Sequence, residues 1–198
     1  MKNVQTAAVA ALATITFALA INCQTSSPDE TDQPVAEEPG EADETMQGQG
    51  NEPPEGHVEP SQHSADLMEL IADYEEWSYH AGVDTHTPSG HPGDVWVIAY
   101  ANEAGVQMVE QQQVPALQGT IFVKEEYDAD GADEPYAVTV MEKLSDEQGD
   151  WYWMKTDPDL NYIVETPEGM VLEGTEDLGC IGCHAASAHQ DYVMAPQF

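Results

Sequence analysis

The sequence predicts an α+β domain: a mainly antiparallel meander of short strands, flanking helices, and a last helix that carries Cys180-Ile181-Gly182-Cys183-His184. Three observations predict it. From Val95 to Leu172, short runs rich in β-branched and aromatic residues alternate with hydrophilic turns, the pattern of strands joined locally rather than by crossovers. Two stretches, after Ser64 and after Asn102, place apolar residues at helical spacing. The Ala-rich segment from Asp177 to Gln190 around the cysteines is short and can be helical.

Met1-Lys2-Asn3 precedes an apolar run, Ala7 to Ile21, which is too short to span a bilayer and has the length of a signal-peptide core. Residues 1–23 therefore read as an export signal. Cys23 is read as a lipidation site at the new N-terminus, in an Ala20-Ile21-Asn22-Cys23 lipobox whose Asn22 stands where a small residue is expected. Cleavage after Ala18-Leu19-Ala20 is the competing reading, and it leaves Cys23 as a thiol in an oxidising compartment. Both readings place the chain in the periplasm or cell envelope, with a lipid anchor as its sole membrane contact.

Residues 24–62 hold Pro, Gly, Glu, Asp, Gln and Ser without Lys or Arg. Such a segment buries too little apolar surface to offset the entropy of ordering it, so it reads as a disordered acidic tether. Residues 63–198 remain as one domain with a core of its own. Ser64-Ala65-Asp66-Leu67 can cap its first helix, with Leu67, Leu70, Ile71, Tyr74 and Trp77 on one face. Tyr79 to Asp94 reads as a loop whose His80, His86 and His91 match no compact ligand spacing and are expected in solvent.

Val95 to Tyr100 is the first strand, and a helix follows from Asn102, with Val106 and Val109 inward, ending before Pro115. In the next strand, Thr120 to Tyr127, Phe122 and Lys124 point to one face while Ile121 and Val123 point to the other. Turns around Asp130-Gly131 and Gln148-Gly149 lead to strands Tyr136–Leu144 and Trp151–Lys155, and Asn161–Glu165 and Met170–Leu172 complete the meander. Trp151 and Trp153 share a face, suited to the core or to a subunit interface.

The cysteine motif carries the chemistry. Two thiols about one helical turn apart can bond the two vinyl groups of one porphyrin while the adjacent imidazole reaches the iron. Cys180 and Cys183 are thus candidates for covalent attachment of one haem c, and His184 for its axial ligand. A redox Cys-x-x-Cys or half of a zinc site are the competing readings; the sequence holds no second Cys/His pair, and only a short tail follows the motif. His189 is too near in sequence to cross the porphyrin plane, and Met194 lies in a tail of little reach. An open sixth position points to binding or turnover of a small molecule rather than to simple electron carriage.

The formal net charge is -34, arginine is absent, and after the leader only Lys124, Lys143 and Lys155 remain. That excludes nucleic acid as a partner, since phosphate binding rests on Lys and Arg. Adaptation to high salt and steering of a basic redox partner both account for the charge, and its spread into the tether favours salt.

Gly119-Thr120-Ile121-Phe122-Val123-Lys124-Glu125, then Gly149-Asp150-Trp151-Tyr152-Trp153, then the Cys180 to His184 motif with Asp191-Tyr192-Val193 resemble, in that order, the cytochrome P-460 family. The resemblance implies a mainly antiparallel β fold with flanking helices, a homodimer, and a five-coordinate haem c. In the catalytic members a lysine is bonded to a porphyrin meso carbon and hydroxylamine is oxidised. The related beta-type cytochromes c′ lack that bond and bind nitric oxide under an apolar cap. Lys124 is the lysine that matches the cross-link, against a plain strand lysine paired with nearby carboxylates. Phe122 is the candidate for the distal pocket, against a plain core residue, and Glu142 for the carboxylate that takes protons from substrate, against one more surface acid. A neutral amine is needed for the cross-link, which burial would favour. Tyr192 is expected beside the haem helix, and a c-type cytochrome is the expected redox partner.

Overall fold

Four consecutive strands form the centre of the fold: β4 (Trp96–Ala101), β5 (Ile121–Tyr127), β6 (Ala137–Lys143) and β7 (Trp151–Thr156), each antiparallel to the next. The computed structural model describes residues 53–80, 83–90, 95–176 and 179–195. Short strands extend the centre: β1 (His57–Val58), β2 (Ser78–Tyr79), β3 (Thr87–Pro88), β8 (Ile163–Val164) and β9 (Glu173–Gly174). Among the described residues they make one sheet in the order β1-β8-β7-β6-β5-β4-β2, with β3 also on β4 and β9 also on β7. The antiparallel meander and the helices stand as the sequence predicts, and no described helix is long and apolar enough to cross a membrane.

Side chains alternate across this sheet, and the two faces bury different things. On one, Ile121, Val123, Tyr100, Val138, Val140, Tyr152 and Met154 pack against Leu67 and Met68 of helix α1 (Gln62–Leu70) and its C-cap Ile71. On the other, Phe122, Met141, Trp151 and Trp153 meet Met108 and Val109 of helix α2 (Glu103–Gln111), Val193 and Ala195 of the C-terminal segment, and the partly buried Cys180. We call these the α1 face and the cysteine face.

Two boundaries differ from the sequence reading. The α1 N-cap is Ser61, whose Oγ accepts from the Ser64 amide at 3.2 Å, while Ser64 itself is buried with its hydroxyl 2.9 Å from that of Tyr152. The last residues of the stretch assigned to the tether therefore belong to the domain: His57 and Val58 pair with Val164 and Ile163, and Val58 packs on the core. Composition hid this, because backbone pairing and one valine suffice to dock the segment. Leu70, expected inward, is exposed, and Met68 takes its place in the core.

Asn102 links helix to sheet. Its Oδ1 accepts from Gly105 N at 2.9 Å and Ile121 N at 3.1 Å, and its Nδ2 donates to the Gly119 carbonyl at 2.8 Å. Gly105 lets α2 approach the sheet, since a Cβ there would lie 3.0 Å from both Ala101 Cβ and the Phe122 ring.

At the β4 end of the α1 face, three phenols converge on one buried carboxylate. Tyr74 donates to Glu125 Oε1 at 2.9 Å, and Tyr100 and Tyr127 donate to Oε2 at 3.1 and 2.8 Å. Burial, reinforced by Glu125, pushes all three phenol pKa values up. A glutamine at position 125 cannot accept as a charged carboxylate does, so Glu125→Gln is expected to lower the unfolding free energy by about 3 kcal/mol in urea titrations. The raised phenols also set a pH limit. Unfolded tyrosines ionise near pH 10 while the folded ones hold their protons, so stability should fall as pH rises above about 10. Phenolate absorbance from these residues should then appear together with unfolding and not before it.

Candidate functional site

The segment after Gly179 (φ 83) turns into a short helix, α3 (Cys180–His184), and continues as a 3-10 turn through Ala185–Gln190. It lies on the cysteine face, where the His184 ring meets Trp153 edge-on at 4.7 Å. His184 Nδ1 lies 2.7 Å from the Tyr192 carbonyl oxygen. A carbonyl only accepts, so Nδ1 carries the proton and Nε2 carries the lone pair. Burial lowers the imidazole pKa, against the opposing pull of that hydrogen bond, and Lys124 lowers it further. The ring is thus held in the neutral form that ligates a metal. Cys180 is half-buried and Cys183 exposed, and burial pushes the Cys180 thiol up while Lys124 and Lys155 pull it down.

Beside Cys180, the sheet presents two lysines and a carboxylate. Glu126 is 1% exposed, and its Oε1 and Oε2 lie 3.4 Å from Lys124 Nζ and 2.6 Å from Lys155 Nζ. Tyr136 donates to Oε2 at 3.1 Å. Strand register explains the grouping: Lys124 and Glu126 are alternate residues of β5, and Lys155 of β7 faces Thr139, which faces Lys124. Burial lowers the Lys124 pKa, Glu126 opposes that, and Lys155 lowers it again.

Phe122 stands where alternation predicts, on the Lys124 face, with its ring 4.7 Å from His80 and 6.2 Å from Trp151. Trp151 and Trp153 are both core residues of that face, and Tyr192 packs beside the motif. Glu142 is a correction. It pairs with Ile121 and so lies on the α1 face, where its Oε2 is 2.9 Å from His63 Nε2. The carboxylate on the Lys124 face is Glu126, which the rule that put Phe122 with Lys124 would also have found two residues on. The histidine reading is corrected as well: His80 is buried against Phe122, and His86 packs on Tyr127 at 4.3 Å. Their loop looked exposed because Gly and Pro composition says nothing of what the rest of the chain lays over it. Cys23 and His91 lie outside the described residues.

The residues of this face fit a haem. Two cysteines and a neutral imidazole stand on one turn of helix, and the buried Nε1 atoms of Trp151 and Trp153 and Nδ1 of His80 have no hydrogen-bond partner in the protein. Buried polar atoms without partners on a cofactor's face are places where the cofactor's own polar groups are expected. Among the described residues no group of three His, Cys, Asp or Glu is arranged to hold a metal ion.

The family described as cytochrome P460 matches residues 71–195, from the end of α1 to the last described residue. No curated protein matches the chain.

Glu126 supplies the principal attraction that keeps Lys124 charged. In Glu126→Gln, Lys124 should therefore lose its proton at lower pH than in the wild type, as read by the pH dependence of amine labelling and mass spectrometry. Removing one partner of a buried ion pair should also lower the unfolding free energy by about 3 kcal/mol.

Proposed function

The chain belongs to the cytochrome P460 family and is a haem protein of that type, and from that premise we propose that it oxidises hydroxylamine at one haem c held by Cys180, Cys183 and His184. The observation that carries this reading is one sheet face on which Lys124 stands two residues from Phe122, Phe122 packs in the cluster that includes Trp151, Trp153 and Cys180, and the His184 ring meets Trp153 at 4.7 Å. Bound there, the haem supplies redox chemistry at its iron. His184, with Nδ1 protonated and Nε2 bearing the lone pair, would supply a nitrogen ligand to that iron. Lys124 is the side chain that would join the porphyrin through Nζ, and burial favours the neutral amine this requires. Phe122, Ala99 and Met141 share its face and keep water from that side. Glu126, in place of Glu142, is the proton acceptor, at a carboxylate that Lys155 holds in position.

The reading extends beyond the site. The apolar leader and Cys23 support export to the periplasm or cell envelope with a lipid anchor, and a c-type cytochrome is the class of partner that would take the electrons. A homodimer is the expected assembly. The second reading is a nitric-oxide-binding protein of the beta-type cytochrome c′ kind. The Lys124–Glu126 contact of 3.4 Å favours it, because it holds the amine as ammonium, which forms no bond to carbon. A simple electron carrier tethered to the membrane would need a second strong iron ligand, and His189 and Met194 stand too near the motif in sequence to supply one.

Intact mass and the reduced optical spectrum separate these readings. If Lys124 is bonded to the haem, the wild type should show a strongly red-shifted reduced spectrum that Lys124→Ala converts to that of an ordinary haem c. Identical spectra, with masses differing only by the substitution, would leave the binding protein. In the folded, haem-loaded fraction, Glu126→Gln should slow hydroxylamine turnover by about 10²- to 10⁴-fold, while Glu142→Gln leaves it unchanged.

A further inference from the structure

The turn between β6 and β7 grips the segment that follows the cysteine motif. Lys143 and Asp191 form an ion pair at 2.8 Å with both side chains fully buried. Asp191 Oδ2 also accepts from the Ala116 amide at 2.9 Å, and Oδ1 accepts from the Gly149 amide at 2.5 Å. Lys143 Nζ donates to the Glu147 carbonyl, and Gln148 Nε2 donates to the Ala188 carbonyl at 2.5 Å. Nothing in the proposed reaction uses this pair, yet it is better buried than the Lys124 site.

Its effect falls on the backbone. Asp191 and Tyr192 both adopt left-handed conformations, φ 53 and 67, which short polar residues tolerate and a tyrosine adopts only when its surroundings impose it. The carboxylate contacts impose it on Asp191. The tyrosine is held by Gly149, which has no Cβ where one would lie 3.0 Å from the Tyr192 ring. The two reversed residues bring the Tyr192 carbonyl to His184 Nδ1 at 2.7 Å.

We propose that Asp191 is a positioning residue for the His184 imidazole: its buried pair with Lys143 fixes the Asp191-Tyr192 backbone, and the Tyr192 carbonyl so presented holds His184 in the Nδ1-protonated form and sets the basicity of Nε2. The inference rests on the reading of His184 as the haem ligand. A hydrogen bond that accepts the Nδ1 proton orients a ligating histidine and strengthens it as a donor. Here the acceptor is a backbone carbonyl, and the buried charge behind it acts without touching the ligand.

The test compares haem-loaded wild type with Asp191→Asn and Gly149→Ala, reading the ferrous iron–histidine stretching band by resonance Raman and the midpoint potential. Loss of the Nδ1 hydrogen bond should move the band to lower frequency and raise the potential in both variants. Gly149→Ala removes neither charged side chain of the pair, while its Cβ meets the Tyr192 ring and its φ of 81 strains the turn that donates to Asp191, so it tests the same backbone placement if Asp191→Asn does not fold. Variants that lose thermal stability while keeping the wild-type band and potential would overturn the inference and reduce the pair to a structural tie. A wild type with no such band would overturn the assignment of His184 and this inference with it, whereas a wild-type band unmoved by the variants overturns this inference alone.

Discussion

The three lysines of the described residues all point to one face of the sheet, and each is held there by a buried carboxylate: Lys124 and Lys155 by Glu126, Lys143 by Asp191. In a chain with 38 acidic residues, 4 Lys and Arg in total and a formal charge of -34, cations are the scarce species. Scattered over the surface they would do little, because exposed pairs are weak and screened over about 8–10 Å at ordinary salt. Placed inside, they neutralise Glu126 and Asp191, two buried carboxylates of the cysteine face. Salt that screens the surface acids acts less on these buried and half-buried pairs.

The pleat of β5 divides the labour. Glu125 and Glu126 are adjacent and both almost fully buried, yet they serve opposite faces. Glu125 turns to the α1 face and is satisfied by three tyrosine hydroxyls, an uncharged surrounding that makes a rigid support. Glu126 turns to the cysteine face and is satisfied by two ammonium groups and one phenol. A one-residue slip in the β5 register would exchange them, carrying Lys124 and Glu126 to the α1 face and leaving Lys155 of β7 opposite Glu125 on the cysteine face. Register here is thus enforced by charge as well as by apolar burial.

Much of this was legible in the sequence. The four central strands, the α2 start at Asn102 and the Cys180 to His184 motif follow from local pattern, and alternation put Phe122 and Lys124 together, whereas the two-residue strands β1, β2, β3 and β9 carry too little pattern to be read. The parity that separates Glu142 from Lys124 was less accessible, because it depends on pairing across a turn, where one residue of register decides the face. Glu126 needed only alternation, but in a chain so acidic a single glutamate carries little signal. The α1 cap slipped because Ser61 and Ser64 are both capable caps, and the burial of Ser64 against Tyr152 decided between them. The Lys143–Asp191 pair was out of reach for another reason. It joins residues from distant parts of the chain, and nothing in the local sequence of either marks it for full burial.

The second lysine on Glu126 has a consequence for the first. A buried carboxylate facing a single ammonium would hold that ammonium firmly, since giving up the proton would leave the carboxylate charged and unpaired, at a cost of several kcal/mol. Glu126 has Lys155 at 2.6 Å and Tyr136 at 3.1 Å, both shorter than the 3.4 Å to Lys124. When Lys124 becomes neutral, Glu126 keeps a cation and a phenol donor, and the ammonium of Lys155 no longer has a like charge across the carboxylate. Lys155 thus both lowers the Lys124 pKa by repulsion and removes the penalty for its deprotonation. A lone Lys–Glu pair would resist the change in charge that bond formation at the amine requires, and the triad of Lys124, Glu126 and Lys155 accommodates it.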